Sequence, residues 1–233
     1  MSRSGYENSP AVITGAFVQL IEDIIGIVPN IITFQYNPES ISRSLEPWNP
    51  FEVDDTNRGA QAPTVQPYSP SEKFSFTLEL HAADGMDLGN PLQVGTGVAS
   101  TIAALQKLTQ PTEGLLGDLV ASAQALAGND AASVERPSVP ITLMILGPGV
   151  IYPVRVTSLS VDQKEFSPLL YPIHASVSLE MVVLTPDVFM CRETAASGAA
   201  VATYNFTKLQ ENALAILNIA NSVQNTVGSV VPL

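Results

Sequence analysis

Few side chains in this sequence could carry catalytic or metal chemistry. The chain contains two histidines, His81 and His174, and one cysteine, Cys191. Two histidines are too few for most histidine-based zinc sites, and a single cysteine neither forms an internal disulfide nor builds a thiolate cage. Both histidines occupy outward-facing positions of predicted strands, which predicts surface or interface imidazoles. Cys191 follows a predicted strand beside Arg192, and we interpret it as a buried structural thiol.

The remaining short motifs lack parts that their chemistry requires. Asp84 and Asp87 are close together, but a calcium ion takes roughly six to eight oxygen ligands and only Asn90 lies nearby, so this segment is interpreted as a polar turn. The Gly-Thr-Gly run at 95–97 lacks a third glycine, and no Gly-Lys-Ser/Thr or Gly-x-Ser-x-Gly sequence is present. We therefore expect no catalytic, cofactor-binding or metal site, and a protein that is not an enzyme.

The charge balance narrows the class of partner. Ten Lys and Arg residues against 22 Asp and Glu residues give a formal net charge of −12, and binding to phosphate groups depends on basic residues. We expect no nucleic-acid partner and no direct membrane insertion, since no apolar run approaches the roughly 20 residues of a bilayer span. The first residues lack the basic-then-apolar order of a secretory signal, which favours a cytoplasmic protein.

The low charge density indicates a protein that assembles with others. Charged residues make up 14% of the chain, against roughly 25% in an ordinary soluble domain. Apolar residues make up 45%, which is more than enough for a core. We therefore expect other protein to cover part of the surface.

Runs of apolar and β-branched residues predict a β-rich core. The predicted strands are 16–21, 31–36, 73–82, 141–146, 150–162 and 173–183. The first of these also fits a helical stripe that begins at Ile13, but we favour two strands joined by a Gly/Pro turn at Pro29-Asn30.

Two of these strands carry a more detailed pattern. In 73–82, Phe74 and every second residue as far as Leu80 are apolar, so they share one face. In 150–162 the apolar phase changes between Val156 and Leu159, which predicts a β-bulge or a bend at a barrel corner.

Helical spacing appears in two other parts of the chain. A section from about 92 to 127 carries two apolar stripes interrupted at Pro111, and an amphipathic stripe begins at Phe206. The residues of the first stripe are Val98, Ile102, Leu105 and Leu108. The sequence thus predicts a mainly β (α+β) fold, with a domain at 1–190 that contains a helical insertion, and a helical C-terminal arm at 191–233. Residues 195–200 are predicted to form a linker or a weak helix.

Residues 45–72 are predicted to form a long loop, because they contain five prolines and little periodicity. A loop of this length in a compact domain usually has a function or contacts a partner. Its apolar residues Trp48, Phe51 and Val53 would form a docking patch or would cover the protein's own barrel.

Three ordered segments resemble a known family. Residues 34–44 read Phe-Gln-Tyr-Asn-Pro-Glu-Ser-Ile-Ser-Arg-Ser, strand 74–80 precedes an acidic turn, and residues 154–177 contain Val-Arg-Val-Thr-Ser-Leu and Phe-Ser-Pro-Leu-Leu-Tyr-Pro-Ile-His-Ala. These segments are similar to tube-type proteins from the baseplates of contractile injection systems, the phage-tail-like particles that bacteria use against other cells. Many members carry a C-terminal LysM module, whereas residues 190–233 are too few for one and show no such pattern.

The resemblance implies a tail-tube-like fold, with antiparallel sheets closed into a barrel or sandwich and a helix alongside. It implies a structural role without cofactors: an adaptor that joins the spike hub and inner tube to the wedge or sheath by forming a ring, in six copies by analogy. The partners would be other baseplate proteins, namely spike hub, tube initiator and wedge, together with further copies of the chain. Assembly would be cytoplasmic, in a particle that is released or held at the membrane.

Two alternatives remain open at the level of sequence. In the first alternative, the chain is an inner-tube or tube-initiator subunit, which differs from an adaptor in copy number. A free β-sandwich that binds a carbohydrate or small ligand would use Trp48, Tyr68 or His81.

Five residues are candidate assembly contacts: Arg43, Trp48, Phe51, Arg155 and Phe166. Arg43 and Arg155 are two of only ten basic residues in an acidic chain, so each is predicted to have an acidic partner, within the chain or across a subunit boundary. Phe166 is predicted mainly to shape the corner before the last strand.

Overall fold

The computed structural model describes residues 13–23, 26–49, 66, 68–83, 95–111, 139–190 and 194–230. Its strands are β1 (Ala16–Asp23), β2 (Gly26–Thr33), β3 (Ile41–Glu46), β4 (Ser71–His81), β5 (Ile141–Ile145), β6 (Ile151–Phe166) and β7 (Pro172–Val183). Helix α1 (Ala99–Lys107) lies between β4 and β5, a 3-10 turn (Pro186–Phe189) follows β7, and helix α2 (Ala195–Val230) comes last. The mainly β fold with one inserted and one C-terminal helix is therefore confirmed.

The strands form one antiparallel sheet in the order β2-β1-β5-β6-β7-β4-β3. Phe17 on β1 and Phe76 on β4 are separated by three strands, yet their ring centroids lie 6.2 Å apart, and Phe34 packs against both rings. The sheet must therefore curl strongly to enclose a core, as a barrel does. Within the described residues it remains open, because β2 and β3 are edge strands that do not pair with each other.

Side chains join the two ends of the curled sheet. Gln35 donates a hydrogen bond from Nε2 to the His81 carbonyl, and its Oε1 accepts one from the His81 N–H at 2.8 Å. Asn37, from the Asn-Pro motif, accepts a hydrogen bond from the Gly15 N–H at 2.9 Å and donates one to the Ile13 carbonyl at 3.0 Å. The segment between β2 and β3 thus bridges the gap without a backbone ladder.

The predicted core stripes are confirmed. Phe74 and every second residue as far as Leu80 are buried in β4, and the four predicted residues of the first helical stripe are buried as well. Helix α1 begins next to the β6–β7 hairpin, where the Val98 N–H donates to the Pro172 carbonyl at 2.9 Å. Gly97 makes this approach possible, because its φ is +58° and a Cβ there would lie 2.1 Å from that same carbonyl oxygen.

The predicted bulge is also confirmed. The register between β6 and β7 shifts between Val156 and Ser158, and Thr157 donates its hydroxyl hydrogen to the Glu180 carbonyl at 3.1 Å. Such an extra residue in an antiparallel pair favours a bend of the strand.

Two boundary predictions near the N-terminus are wrong. Residues 16–21 do form a strand, but Pro29 lies within β2, opposite Leu20, rather than in a turn, and the hairpin closes between Asp23 and Gly26. Proline is tolerated there because β2 is an edge strand in the described sheet, so a missing N–H leaves no ladder partner unsatisfied. The predicted strand 31–36 ends at Thr33, because Gln35 and Asn37 hold the next residues through side-chain bonds.

Other boundaries shift as well. Of the two alternatives for residues 195–200, the helix is confirmed, because they form the first turns of α2. Strand β6 continues beyond residue 162 to Phe166. In the predicted loop 45–72, the first two residues belong to β3, which ends at Glu46, and the last two belong to β4, which begins at Ser71. Most of that loop, the second predicted helix of the insertion, the 84–90 turn and Cys191 lie outside the described residues.

Candidate functional site

A polar network lies where α2 crosses the curled sheet. It consists of Arg43 from β3, Glu72 from β4, Tyr152 from β6, and Lys208 and Glu211 from α2. Alternation along β4 places Glu72 on the same face as its buried phenylalanines, and Arg43 pairs directly across from Phe74. The sheet therefore directs the Arg43 and Glu72 side chains toward the enclosed side.

Every charged group of this network contacts an opposite charge. Arg43 Nε forms an ion pair with Glu72 Oε1, and Arg43 Nη2 lies 2.5 Å from Glu211 Oε1. Lys208 Nζ lies 3.2 Å from Glu72 Oε2 and 2.9 Å from Glu211 Oε2. Two cations thus balance two carboxylates, and the side chain of Glu72 is only 4% exposed.

The Tyr152 hydroxyl lies at the centre of the network. It donates a hydrogen bond to Glu211 Oε1 at 2.5 Å and accepts one from Arg43 at 3.0 Å and one from Lys208 at 3.2 Å. Its ring is packed 6.1 Å from that of Tyr204, and the Lys208 ammonium lies 5.3 Å from the Tyr152 ring centroid. Aromatic faces therefore replace part of the water around the cations.

Four groups of the network have pKa values that are shifted further away from neutral pH. Burial disfavours the charged form of Glu211, but hydrogen bonds from Tyr152 and the two cations outweigh it and hold the pKa at about 2, below the ordinary 4.5. Burial raises the pKa of Tyr152 above its ordinary value. The pKa values of Arg43 and Lys208 are raised because bonds to carboxylates exceed the cost of burial. None of these four groups is poised for proton transfer near neutral pH.

Acidification should therefore destabilise the fold through Glu211. A carboxyl group with a depressed folded pKa stabilises the protein above its unfolded pKa, and this contribution is lost as the pH falls from about 4.5 toward 2. We expect the stability difference between the wild type and Glu211→Gln, measured by urea unfolding, to be largest near pH 7 and to shrink steadily below pH 4.5. A difference that stays constant down to pH 2.5 would contradict the depressed pKa.

A buried threonine fixes α2 to the start of β6. Thr207 Oγ1 accepts a hydrogen bond from the Ile151 N–H at 3.0 Å and lies 2.8 Å from the Ile151 carbonyl. Further along the helix toward its N-terminus, Ala196 and Ala200 are buried, and their small side chains let the helix lie close to the sheet. The first half of α2 is thus part of the folded body.

The structure separates the predicted assembly contacts. Arg43 has its acidic partners within the chain, namely Glu72 and Glu211. Arg155 is exposed and forms no ion pair with a described residue, so a partner across a subunit boundary stays a prediction for it. Trp48 is half-buried just after β3, and Phe166 is 49% exposed at the end of β6.

Phe51 lies outside the described residues.

Sequence reasoning missed the other four members of the polar network, Glu72, Tyr152, Lys208 and Glu211. One signal was present: Glu72 is an acid in the apolar phase of β4, which predicts a buried partner.

The tip of the β6–β7 hairpin is an exposed apolar surface. Leu169 and Leu170 are 77% and 79% exposed, and Phe166 and Tyr171 beside them are also exposed. Hydrogen bonds hold the turn tightly: the Ser167 N–H donates to the Tyr171 carbonyl and the Leu170 N–H to the Ser167 carbonyl, both at 2.8 Å. We call residues 166–171 the hairpin tip.

Backbone strain accompanies this apolar surface. Leu170 has a φ of +62°, a conformation that glycine or asparagine adopts at much lower cost. The chain therefore keeps a bulky apolar side chain at a position where its backbone is strained, and such positions are found mainly at functional sites.

The two histidines lie on the other face of the sheet, as predicted, and the structure places them side by side. His81 on β4 pairs opposite His174 on β7, and their rings stack at a centroid distance of 4.8 Å. His174 Nε2 lies 2.9 Å from Glu79 Oε2, and this bond lowers the pKa of Glu79 although burial opposes the shift. Within the described residues, His, Cys, Asp and Glu side chains form no group of three or more that could hold a metal ion.

A shallow groove of about 440 Å³ runs over β3, β4, β7 and β6 near the bulge. Its described lining includes Ser42, Ser75, Thr157 and Glu180 but none of the residues named for a ligand-binding β-sandwich. No helix in the described part of the chain is long and apolar enough to cross a membrane.

Comparison with known proteins gives no further assignment. No protein-family model matches the chain, and no curated protein sequence matches it. The likeness to contractile injection systems therefore depends on the three sequence segments described above.

Proposed function

We propose that this chain is a non-catalytic structural subunit of a contractile injection system baseplate. It acts as an adaptor that joins the spike hub and inner tube to the wedge or sheath through a ring of copies. The observation that carries the proposal is the hairpin tip, a rigid, strained and exposed apolar surface formed by one of the segments that resembles the baseplate family.

The other motif residues support the proposal by giving the tip a rigid scaffold. Asn37 anchors the crossover between β2 and β3, and Arg43 joins β3 to α2 through the polar network. Both residues belong to the first segment that resembles the family. Each tightens the curled sheet from which the β6–β7 hairpin extends.

Apolar exposure on this scale fits a subunit that is buried in an assembly. Large exposed apolar surfaces on a folded protein mark sites of interaction with other macromolecules. Near the tip in β6, Lys164 forms an ion pair with Asp162 at 3.6 Å, and Glu165 leaves this group with a net negative charge, which opposes contact with an anionic lipid surface. A protein neighbour is the occupant that fits these features.

The tip is tested by replacing one leucine. In a particle-producing strain, the wild-type gene is replaced by a gene for the Leu169→Asp variant. We expect this strain to form few or no normal particles, because a carboxylate would be buried at the contact. Val188→Asp is the matched control, since Val188 is also apolar and 61% exposed but lies in the 3-10 turn. Particle number is counted by electron microscopy, and thermal melts of both purified variants check folding.

Normal particle yield with Leu169→Asp would remove the hairpin tip from the proposal.

The copy number in purified particles, measured by quantitative mass spectrometry, separates the two baseplate roles. A small fraction relative to sheath indicates an adaptor, whereas a ratio to sheath close to one indicates a stacked tube subunit.

A further inference from the structure

Helix α2 has two opposite faces. Ala200, Tyr204 and Thr207 are buried against the sheet, and Glu211 joins the polar network on the same face. From Asn212 to Ser222 every residue is exposed, so the second half of the helix extends away from the body. The first half is therefore fixed and the second half projects.

The face opposite the buried one carries a regular apolar pattern. Apolar residues recur at alternating intervals of three and four at Phe206, Leu209, Ala213, Ile216 and Ala220. The exposed fractions of Phe206, Leu209 and Ile216 are 42%, 68% and 66%. In the sequence the same interval continues at 223, 227 and 230, each of which is valine. This spacing is the a and d repeat of a coiled coil, sustained for roughly three and a half heptads.

We infer that this seam, residues 206–230 of α2, packs against the same seam of a second copy of the chain. A strict interval of three and four is a pattern for packing one helix against another helix, because only then does one narrow stripe stay in contact along its whole length. Other exposed apolar side chains flank the seam, namely Leu214, Leu217 and Ile219. Only the seam, however, repeats at this interval along the whole of residues 206–230.

The absence of charge suits a second copy better than a charged partner. Residues 212–233 contain no Asp, Glu, Lys or Arg, although the chain as a whole has a net charge of −12. Two copies can therefore approach along the projecting half of the helix without like charges facing each other. A charged partner would find no complementary charge on this surface.

The available area is also sufficient. Phe206, Leu209 and Ile216 at the seam, with Leu217 and Ile219 beside it, would each bury roughly 100 Å² or somewhat less. Together they supply at most about 500 Å² per copy, and the exposed seam alanines Ala213 and Ala220 extend the contact toward the roughly 600 Å² per partner of a small specific interface.

The inference does not depend on the baseplate proposal, because it concerns the purified chain alone. Sedimentation equilibrium of the full chain across a concentration series should show association to at least a dimer. Ile216→Glu should weaken it by about tenfold or more, because the seam then buries two like charges in each pair of chains. Ile216→Leu should retain association.

The matched control is Leu214→Glu. Leu214 is 65% exposed, nearly the same as Ile216, but it lies off the seam. The two variants therefore add the same charge to the same projecting helix, and circular dichroism should show that both are folded. A wild-type chain that stays monomeric would overturn the inference, and so would equal association constants for the two glutamate variants.

Discussion

Replacing Glu72 by glutamine should lower the free energy of unfolding by about 3 kcal/mol, the low end of the range for breaking a buried ion pair. The side chain of Glu72 is 4% exposed and contacts both cations of the network, Arg43 and Lys208. The amide keeps the shape but removes the charge that balances them. The effect stays at the low end because both cations are about one-third exposed, so water screens part of the loss.

The matched control for this variant is Glu46→Gln. Glu46 forms an ion pair with Lys73 at 2.7 Å in the same pair of strands, but both side chains are about half exposed. Its loss should change the free energy of unfolding by no more than about 0.5 kcal/mol. Urea unfolding at pH 7 measures both values. Equal effects of the two substitutions would show that the network under α2 does not stabilise the fold.

Replacing Leu105 by alanine should cost about 2–5 kcal/mol of unfolding free energy. Leu105 is 1% exposed and lies in α1, whose apolar face fills one end of the core. Leu105 belongs to the main cluster of buried side chains, so its truncation leaves a cavity inside the core. For a chain of this size, each kcal/mol lowers the melting temperature by roughly 2–4 °C.

Gln106→Ala serves as the control for α1, because Gln106 is exposed on the same helix. It should shift the unfolding free energy by no more than about 0.5 kcal/mol, since alanine favours helices and no core contact is lost. If Leu105→Ala were as mild as Gln106→Ala, α1 would not be part of the core.

The sequence predicted the parts of the fold that depend on local pattern. Alternation along β4, the phase change in β6 and the helical stripe of α1 each reflect burial of one face, and burial leaves a periodic trace in the residues. The prediction of a turn at Pro29 was wrong for a physical reason. A proline is a strong turn signal, but an edge strand also accepts one, and which strand is at the edge depends on the whole sheet.

The polar network was only partly predictable. Arg43 was expected to have an acidic partner, and the acid in the apolar phase of β4 was visible in the sequence. Glu211, however, is 168 residues from Arg43, and no local pattern indicates that α2 folds back across the sheet to reach it. Long-range pairs of this kind are fixed by topology rather than by spacing along the chain.

The folded body holds both exposed apolar surfaces, the hairpin tip and the seam of α2. The network and Thr207 fix the first half of α2 to the body, so the second half leaves the sheet in a defined direction. The hairpin tip extends from the same sheet as a rigid turn. Both exposed surfaces are thus held at fixed positions on the body, as the proposed structural role requires.

Deletion of the gene for this chain, followed by sedimentation and electron microscopy of the lysate, tests the baseplate role most directly. A baseplate adaptor is required for assembly, so the deletion should leave no assembled particles, or loose sheath and tube without a baseplate, and the wild-type gene supplied separately should restore them. Intact particles in normal number in the deletion strain would contradict the proposed function.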